Sequence, residues 1–156
     1  MISLNQLRFL KHFFVFTLIV GFVSCKCEFD EPTLENLRIC DMDRDDLDGF
    51  ECSSDLATLA TDAPFITASV ETFQTNPTDR IVFRLTDVAT GTLLSELSST
   101  ISQLASEAGE AECLVKAAAS IPRPVDRLWP ALDYNVEVIL ENGGVPLTIN
   151  KRFTIR

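Results

Sequence analysis

The stretch from Tyr134 to Ile155 reads YNVEVILENGGVPLTINKRFTI, and its pattern decides the fold class. In each of its two runs, most apolar side chains hold alternate positions, with mainly polar or charged residues between them: Tyr134, Val136, Val138 and Leu140, then Val145, Leu147, Ile149, Phe153 and Ile155. A period of two predicts strands with one buried face and one solvated face. Asn142-Gly143 lies between the two runs and supplies the positive φ angles of a tight hairpin turn.

The same alternation occurs in three runs upstream, which are Ile66-Ala68-Val70, Ile81-Phe83-Leu85 and Cys113-Val115-Ala117. Short amphipathic strands joined by turns are typical of antiparallel sheets packed against each other. We therefore expect a mainly β, antiparallel sandwich over residues 56–156.

One stretch between these runs follows a helical period instead. Its apolar residues are spaced by three or four positions: Leu94, Leu97, Ile101, Leu104, Ala105 and Ala108. Gly109 suits the position just after a helix C-terminus. Ser98, Ser99 and Thr100 are poor helix formers. The spacing predicts one short helix that links two strands.

The segment from Leu128 to Val138 reads LWPALDYNVEV and resembles the corner of fibronectin type III and related immunoglobulin-like sandwiches. Leu128, Pro130 and Tyr134 match the Leu-x-Pro-x-x-x-Tyr spacing of that corner. The resemblance implies a tyrosine corner, in which the Tyr134 hydroxyl bonds to nearby backbone. The chain departs from the pattern in lacking a strand-B tryptophan and in its predicted helix. We expect the Trp129 side chain to cover one end of the sandwich core rather than to be exposed and stack on a sugar.

The N-terminus predicts export. Arg8 and Lys11 precede the eleven-residue apolar run Phe13–Val23, and polar and acidic residues follow at once. A basic region followed by an apolar run of this length is typical of a secretory signal peptide, and it is short for a membrane span. We assign residues 1–24 to the signal peptide.

Phe22-Val23-Ser24-Cys25 resembles the lipobox of bacterial lipoproteins, with Phe22 as the departure from the usual Leu or Val. That resemblance implies lipidation of Cys25 and a membrane anchor. Residues 26–31 run from basic to acidic, similar to the surface-export tract of some Bacteroidetes lipoproteins, which implies the outer membrane or the cell surface. The alternative is cleavage after Cys25, with Val23 at position −3, and free secretion.

Composition excludes several functional classes. The 156 residues are 46% apolar and carry a net charge of −10, which would become −12 without residues 1–24. Eleven of the 23 acidic residues lie between Glu28 and Asp55, so residues 25–55 form an acidic, cysteine-containing lead-in. This charge argues against nucleic-acid binding. The single histidine, His12, lies in the predicted signal peptide, which argues against Ser-His-Asp or Cys-His catalysis and histidine-ligated zinc.

Four cysteines remain after Cys25, and an even number in an exported chain predicts two disulfides: Cys27, Cys40, Cys52 and Cys113. The spacing contains no C-x-x-C pair. Two pairings stay open, Cys27–Cys40 with Cys52–Cys113 or Cys40–Cys52 with Cys27–Cys113. We favour the first.

The segment between Cys40 and Cys52 also raises a calcium hypothesis. Its candidate oxygen ligands are Asp41, Asp43, Asp45 and Asp48. Alternate aspartates resemble the start of an EF-hand or thrombospondin-type calcium loop. The match to such a calcium loop fails at two positions. Asp46 stands where the loop needs a glycine for its turn, and Cys52 stands at the twelfth position, where the loop has a glutamate. A solvated acidic loop is therefore the favoured interpretation.

These patterns favour a non-enzymatic module of the cell envelope that binds an unidentified protein or glycan or serves as a structural component. Two alternatives are a calcium-stabilised, adhesin-like secreted domain and a small carboxylate-dependent hydrolase. The hydrolase needs two opposed acids, one of raised pKa, and Glu137 and Glu141 lie on the solvated face of a strand. We expect no catalytic residues and, apart from the calcium of the hypothesis above, no cofactor.

Overall fold

Eight strands in two facing sheets account for most of residues 31–108 and 114–156, which the computed structural model describes. The strands are β1 (Thr33–Cys40), β2 (Thr58–Leu59), β3 (Phe65–Phe73), β4 (Arg80–Asp87), β5 (Leu93–Thr100), β6 (Leu114–Pro122), β7 (Asp133–Glu141) and β8 (Leu147–Ile155). One α-helix, α1 (Ile101–Ala108), directly follows β5 and precedes β6 in the chain. Within the described ranges, no helix has the length and apolar character that a membrane crossing requires.

The two sheets have the strand orders β1-β3-β6 (sheet A) and β2-β8-β7-β4-β5 (sheet B). Every pairing is antiparallel except the short parallel contact of β2 with β8. The expected mainly β, antiparallel sandwich with one short helix is confirmed. Its core draws apolar side chains from both sheets, among them Ile39, Ile66, Val70, Val115, Ala117, Ile81, Leu85, Val136, Val138, Leu140, Phe153 and Ile155.

The alternation along β7 and β8 is confirmed by burial. Val136, Val138 and Phe153 are buried in the core, and Leu147 packs against it from the margin. The glutamates of β7 face the other way and lie partly or fully in solvent. Each strand therefore contributes one apolar face to the space between the sheets.

The hairpin between β7 and β8 is present, but its turn is wider than the tight turn that the sequence predicts. The last registered pair is Leu140 with Leu147, and β7 ends at Glu141, so residues 142–146 form the connection. Gly143 has a φ of +76°, a value that favours glycine. Pro146 has no N–H to donate to the ladder, and Val145, which the alternation assigned to the buried face, is 84% exposed.

The tyrosine corner is confirmed. The Tyr134 hydroxyl donates to the carbonyl oxygen of Pro130 at 2.9 Å, and its ring stacks on Phe153 with 5.6 Å between centroids. Burial and the nearby Asp87 carboxylate raise the pKa of the Tyr134 hydroxyl, which keeps it protonated as a donor. Trp129 is also buried and donates from Nε1 to the carbonyl oxygen of Ala63 at 2.9 Å, so it closes this end of the core.

The helix prediction is wrong for its first half. Residues 93–100 form β5, which pairs with β4 and sets Leu97 opposite Phe83 and Glu96 opposite Arg84. This pairing outweighs the helical spacing of the leucines, and the hydroxyl residues at 98–100 suit a strand better than a helix. The helix begins only at Ile101, whose N–H donates to the carbonyl oxygen of Asp79. Gly109 and Cys113 lie outside the described residues.

Strand β1 lies within the predicted lead-in of residues 25–55. It pairs with β3 from Thr33 opposite Phe73 to Cys40 opposite Thr67, with a register shift between Glu35 and Arg38. Residues 33–40 are thus an edge strand of sheet A. The acidic character of the surrounding segment concealed this strand.

The register of β7 generates a stability prediction. Val138 is fully buried, so Val138→Asp would place an unpaired carboxylate in the core and should lower the free energy of unfolding by about 4 kcal/mol or more. Glu137→Ala, one residue away on the solvated face, should cost about 1 kcal/mol or less. Denaturant unfolding of both variants measures the difference. Equal effects of the two substitutions would contradict the register.

Candidate functional site

Cys40 and Cys52 form a disulfide with 5.8 Å between their Cα atoms, and both residues are buried. The favoured pairing of Cys27 with Cys40 and Cys52 with Cys113 is therefore wrong. After β1, the chain turns back over sheet A. This turn brings Cys52 next to Cys40, the last residue of β1. Cys25, Cys27 and Cys113 lie outside the described residues, so the lipidation and the second disulfide stay predictions.

Residues 41–56, which include the loop closed by this disulfide, cover the outer face of sheet A and are called the covering segment. The Cys52 N–H donates to Ser69 Oγ at 3.0 Å, and the Arg44 N–H donates to Ser120 Oγ at 2.6 Å. Thr67 is fully buried, and its hydroxyl bonds to the carbonyl oxygen of Met42. The covering segment thus supplies hydrogen-bond partners for the buried hydroxyls of Thr67 and Ser69 and for the half-buried hydroxyl of Ser120.

The four candidate calcium ligands do not converge. Asp43 accepts from the backbone N–H of Asp45 and begins a short 3-10 turn, while Asp45 pairs with the Arg44 guanidinium at 3.1 Å. Asp41, Asp45 and Asp48 are exposed. In residues 31–108 and 114–156, no three acidic, histidine or cysteine side chains form a group that could hold a metal ion.

The same segment contains the arrangement nearest to a carboxylate active site. Asp46, Asp48 and Glu51 line a shallow depression of about 370 Å³. Glu51 lies between Arg38 and Lys116, with 2.7 Å to each cation. The hydrogen bond from Lys116, added to the charges of both cations, lowers the pKa of Glu51 despite its partial burial. A general acid needs a raised pKa, so Glu51 suits an anchoring role better than catalysis.

Asp55 anchors the far end of the covering segment to both sheets. Its carboxylate accepts from the Ile39 N–H at 3.1 Å and pairs with the Lys151 ammonium of β8. Burial raises the pKa of Asp55, but these hydrogen bonds and the nearby cations, Lys151 and Arg38, outweigh burial and lower it overall. Asp55 is therefore held ionised as a structural group.

The solvated face of sheet B carries several ion pairs. Arg84 lies between Glu96 at 2.8 Å and Glu137 at 3.5 Å, and Arg80 pairs with Glu141 at 3.6 Å. The hydrogen bond that the Arg84 guanidinium donates to Glu96 raises the pKa of Arg84. Each glutamate of β7 thus has a cation beside it.

Strands β5 and β6 each end their sheet, and no strand of residues 31–108 or 114–156 bridges them, so we call this side of the sandwich the open side. A groove of about 210 Å³ lies there, lined by Arg44, Phe83, Leu97, Ser98, Ser99, Leu104, Ala118, Ala119 and Ser120. Phe83 and Ala119 form an apolar floor, and Leu104 of α1 closes one end. This groove continues into a narrow apolar cleft towards Ile66 and Ile121.

Strand β5 carries the most exposed apolar side chains of this side. Leu93 and Leu94 are each 50% exposed and Leu97 is 39% exposed, on a strand that pairs with β4 alone in the part of the chain that the structure describes. The strand contains neither lysine nor proline, the residues that often protect such edges. Sequence reasoning missed this surface because the leucines fit a helix; Ser98-Ser99-Thr100 was the signal for a strand.

No protein-family model matches the chain, and neither does any curated protein. Among solved structures, a β-glucuronidase from Parabacteroides merdae matches with a TM-score of 0.44 and 15% identity, over 81% of this chain and 14% of that one. The alkylpurine DNA glycosylase AlkC from Pseudomonas fluorescens matches with a TM-score of 0.41 and 16% identity, over 81% and 30%. The chain spans less than a third of either protein, and similarity this low carries no argument about activity.

The disulfide generates a prediction about stability. Replacing both Cys40 and Cys52 by alanine should lower the free energy of unfolding by about 2–4 kcal/mol, because the unfolded chain regains the freedom that the closed loop removes. Denaturant unfolding of the oxidised wild type and of the double variant measures this. Equal stabilities, or free thiols at both positions in alkylated, unreduced protein, would contradict the pairing.

Glu51 generates a prediction about pH. Its pKa in the folded state is lowered from the usual 4.5, so its contribution to stability is present above about pH 4.5 and is lost as pH falls through the folded-state value. The thermal midpoint of unfolding should therefore decrease as the pH drops below 4.5. The decrease should be less steep in Glu51→Gln. Asp41→Asn, on the same segment and exposed, is the control. An unchanged pH profile in Glu51→Gln would contradict the anchoring role.

Proposed function

We propose that the protein is an exported, lipid-anchored, non-enzymatic module of the bacterial cell envelope that acts by binding or as a structural component. The main support for this proposal is the open side, where the edge of β5, which no other described strand than β4 pairs with, carries half-exposed leucines beside an apolar groove. Exposed apolar surface of this kind is typical of contact with another polypeptide.

The electrostatics support binding over catalysis. Glu51 and Asp55 are held ionised by cations, and the glutamates on sheet B lie beside arginines. Nothing in this pattern resembles the pair of carboxylates with diverging pKa values that a small hydrolase would use. We therefore favour binding without turnover.

We further propose that the sandwich is of the immunoglobulin and fibronectin type III kind. Strands β1, β3 and β6 correspond in order to A, B and E, and β4, β7 and β8 correspond to C, F and G. The Tyr134–Pro130 hydrogen bond supports the same assignment. This architecture hosts many functions, so the partner must be inferred from the surface rather than from the fold.

The anchor is proposed on sequence grounds. Cys25 follows the apolar run of the predicted signal peptide and precedes β1 by few residues. A diacyl anchor at that position would hold the domain near the membrane, at the outer membrane or the cell surface. Free secretion is the competing outcome.

Cys25→Ser tests the proposal in a bacterial host with a lipoprotein pathway. Labelled palmitate should enter the wild type, which should fractionate with membranes, and should not enter Cys25→Ser, which should remain unprocessed or be released. Cys27→Ser is the matched control and should keep the label. If Cys25→Ser matures and fractionates like the wild type, the lipid anchor is wrong.

A further inference from the structure

We infer that two copies of this chain associate by antiparallel pairing of their β5 edges, which joins the two B sheets across a two-fold axis. Strand β5 ends sheet B, and only β4 pairs with it among the described residues. An unpaired edge presents backbone N–H and C=O groups that a second strand can satisfy. A two-fold pairing lets one patch serve both copies.

The register follows from the side chains of β5. Setting Leu97 opposite Leu97 of the second copy places Glu96 opposite the second copy's Ser98. Glu96 and Ser98 lie on the face that carries the ion pairs of sheet B, because Glu96 pairs with Arg84 and Ser98 accepts from Arg80. Leu97 belongs to the other face, which borders the groove.

This register is complementary in charge and hydrogen bonding. Ser98 Oγ accepts from the Arg80 guanidinium at 2.8 Å, so the hydroxyl hydrogen can be donated to a carboxylate. Glu96 of the second copy would supply that carboxylate, with Arg80 close behind the hydroxyl. Glu96 is also paired with Arg84 at 2.8 Å, which reduces repulsion between the two Glu96 side chains.

The apolar contact explains why the occupant is a second copy. Leu97 is 39% exposed beside the groove floor of Phe83 and Ala119. In the paired register, Leu97 of the second copy would lie against Leu97 and cover the mouth of this groove. Both copies would gain the same burial, which is expected of an isologous interface.

Charge reversal within the register gives the sharpest test. Sedimentation equilibrium of the full chain in detergent should show a wild-type dimer. Ser98→Glu would set a carboxylate opposite Glu96 of the second copy and should weaken association about tenfold, and adding Glu96→Gln should restore it. Ser98 is exposed beside Arg80, so the single variant should fold. A monomeric wild type, or weakening without rescue, would overturn the inference.

A photo-reactive p-benzoylphenylalanine at position 97 tests the contact in the producing cell. It should yield a cross-linked product of twice the protein's mass, whereas the same group at Leu128, which is 55% exposed on a loop, should not. No product from position 97, or a product with a different protein, would overturn the pairing. The result is independent of the anchor, because Cys25→Ser protein should pair equally well.

Discussion

The burial alternation along β7 is the constraint on which the rest of the sandwich depends. This strand lies between β8 and β4, so its register sets the positions of both neighbours. A slip of one residue would exchange Val138 with Glu137 and place a charge in the core. Tyr134 secures one end of the strand through its hydrogen bond to Pro130 and its stacking on Phe153.

Sheet A is stabilised in a different way, by the segment that covers its outer face. Its outer face carries buried hydroxyls, such as those of Thr67 and Ser69, whose partners come from the backbone of residues 41–56. The disulfide holds this segment in place, and the ion pairs of Glu51 and Asp55 tie it to strands of both sheets. The acidic segment is therefore part of the fold, with part of its charge compensated locally.

The sequence predicts those parts of the molecule whose pattern is local. The period of two identifies β3, β4, β7 and β8, and the corner spacing predicts the role of Tyr134. Strand β5 depends on its pairing with β4, and the disulfide depends on how residues 41–51 fold back over sheet A, so the leucine spacing and the cysteine count alone could not identify them. The open side was missed for the same reason, because a surface between two sheet edges exists only once both edges are placed.

The pairing of β5 with β4 is central, since it both completes sheet B and creates the open edge. Cross-strand nuclear Overhauser effects in solution test it most directly, because the same residues could otherwise form a helix. This pairing predicts contacts between the backbone protons of Val82 and Ser98 and between those of Arg84 and Glu96, which face each other across the two strands. Strong sequential amide–amide contacts through residues 94–100, without cross-strand contacts to β4, would contradict it.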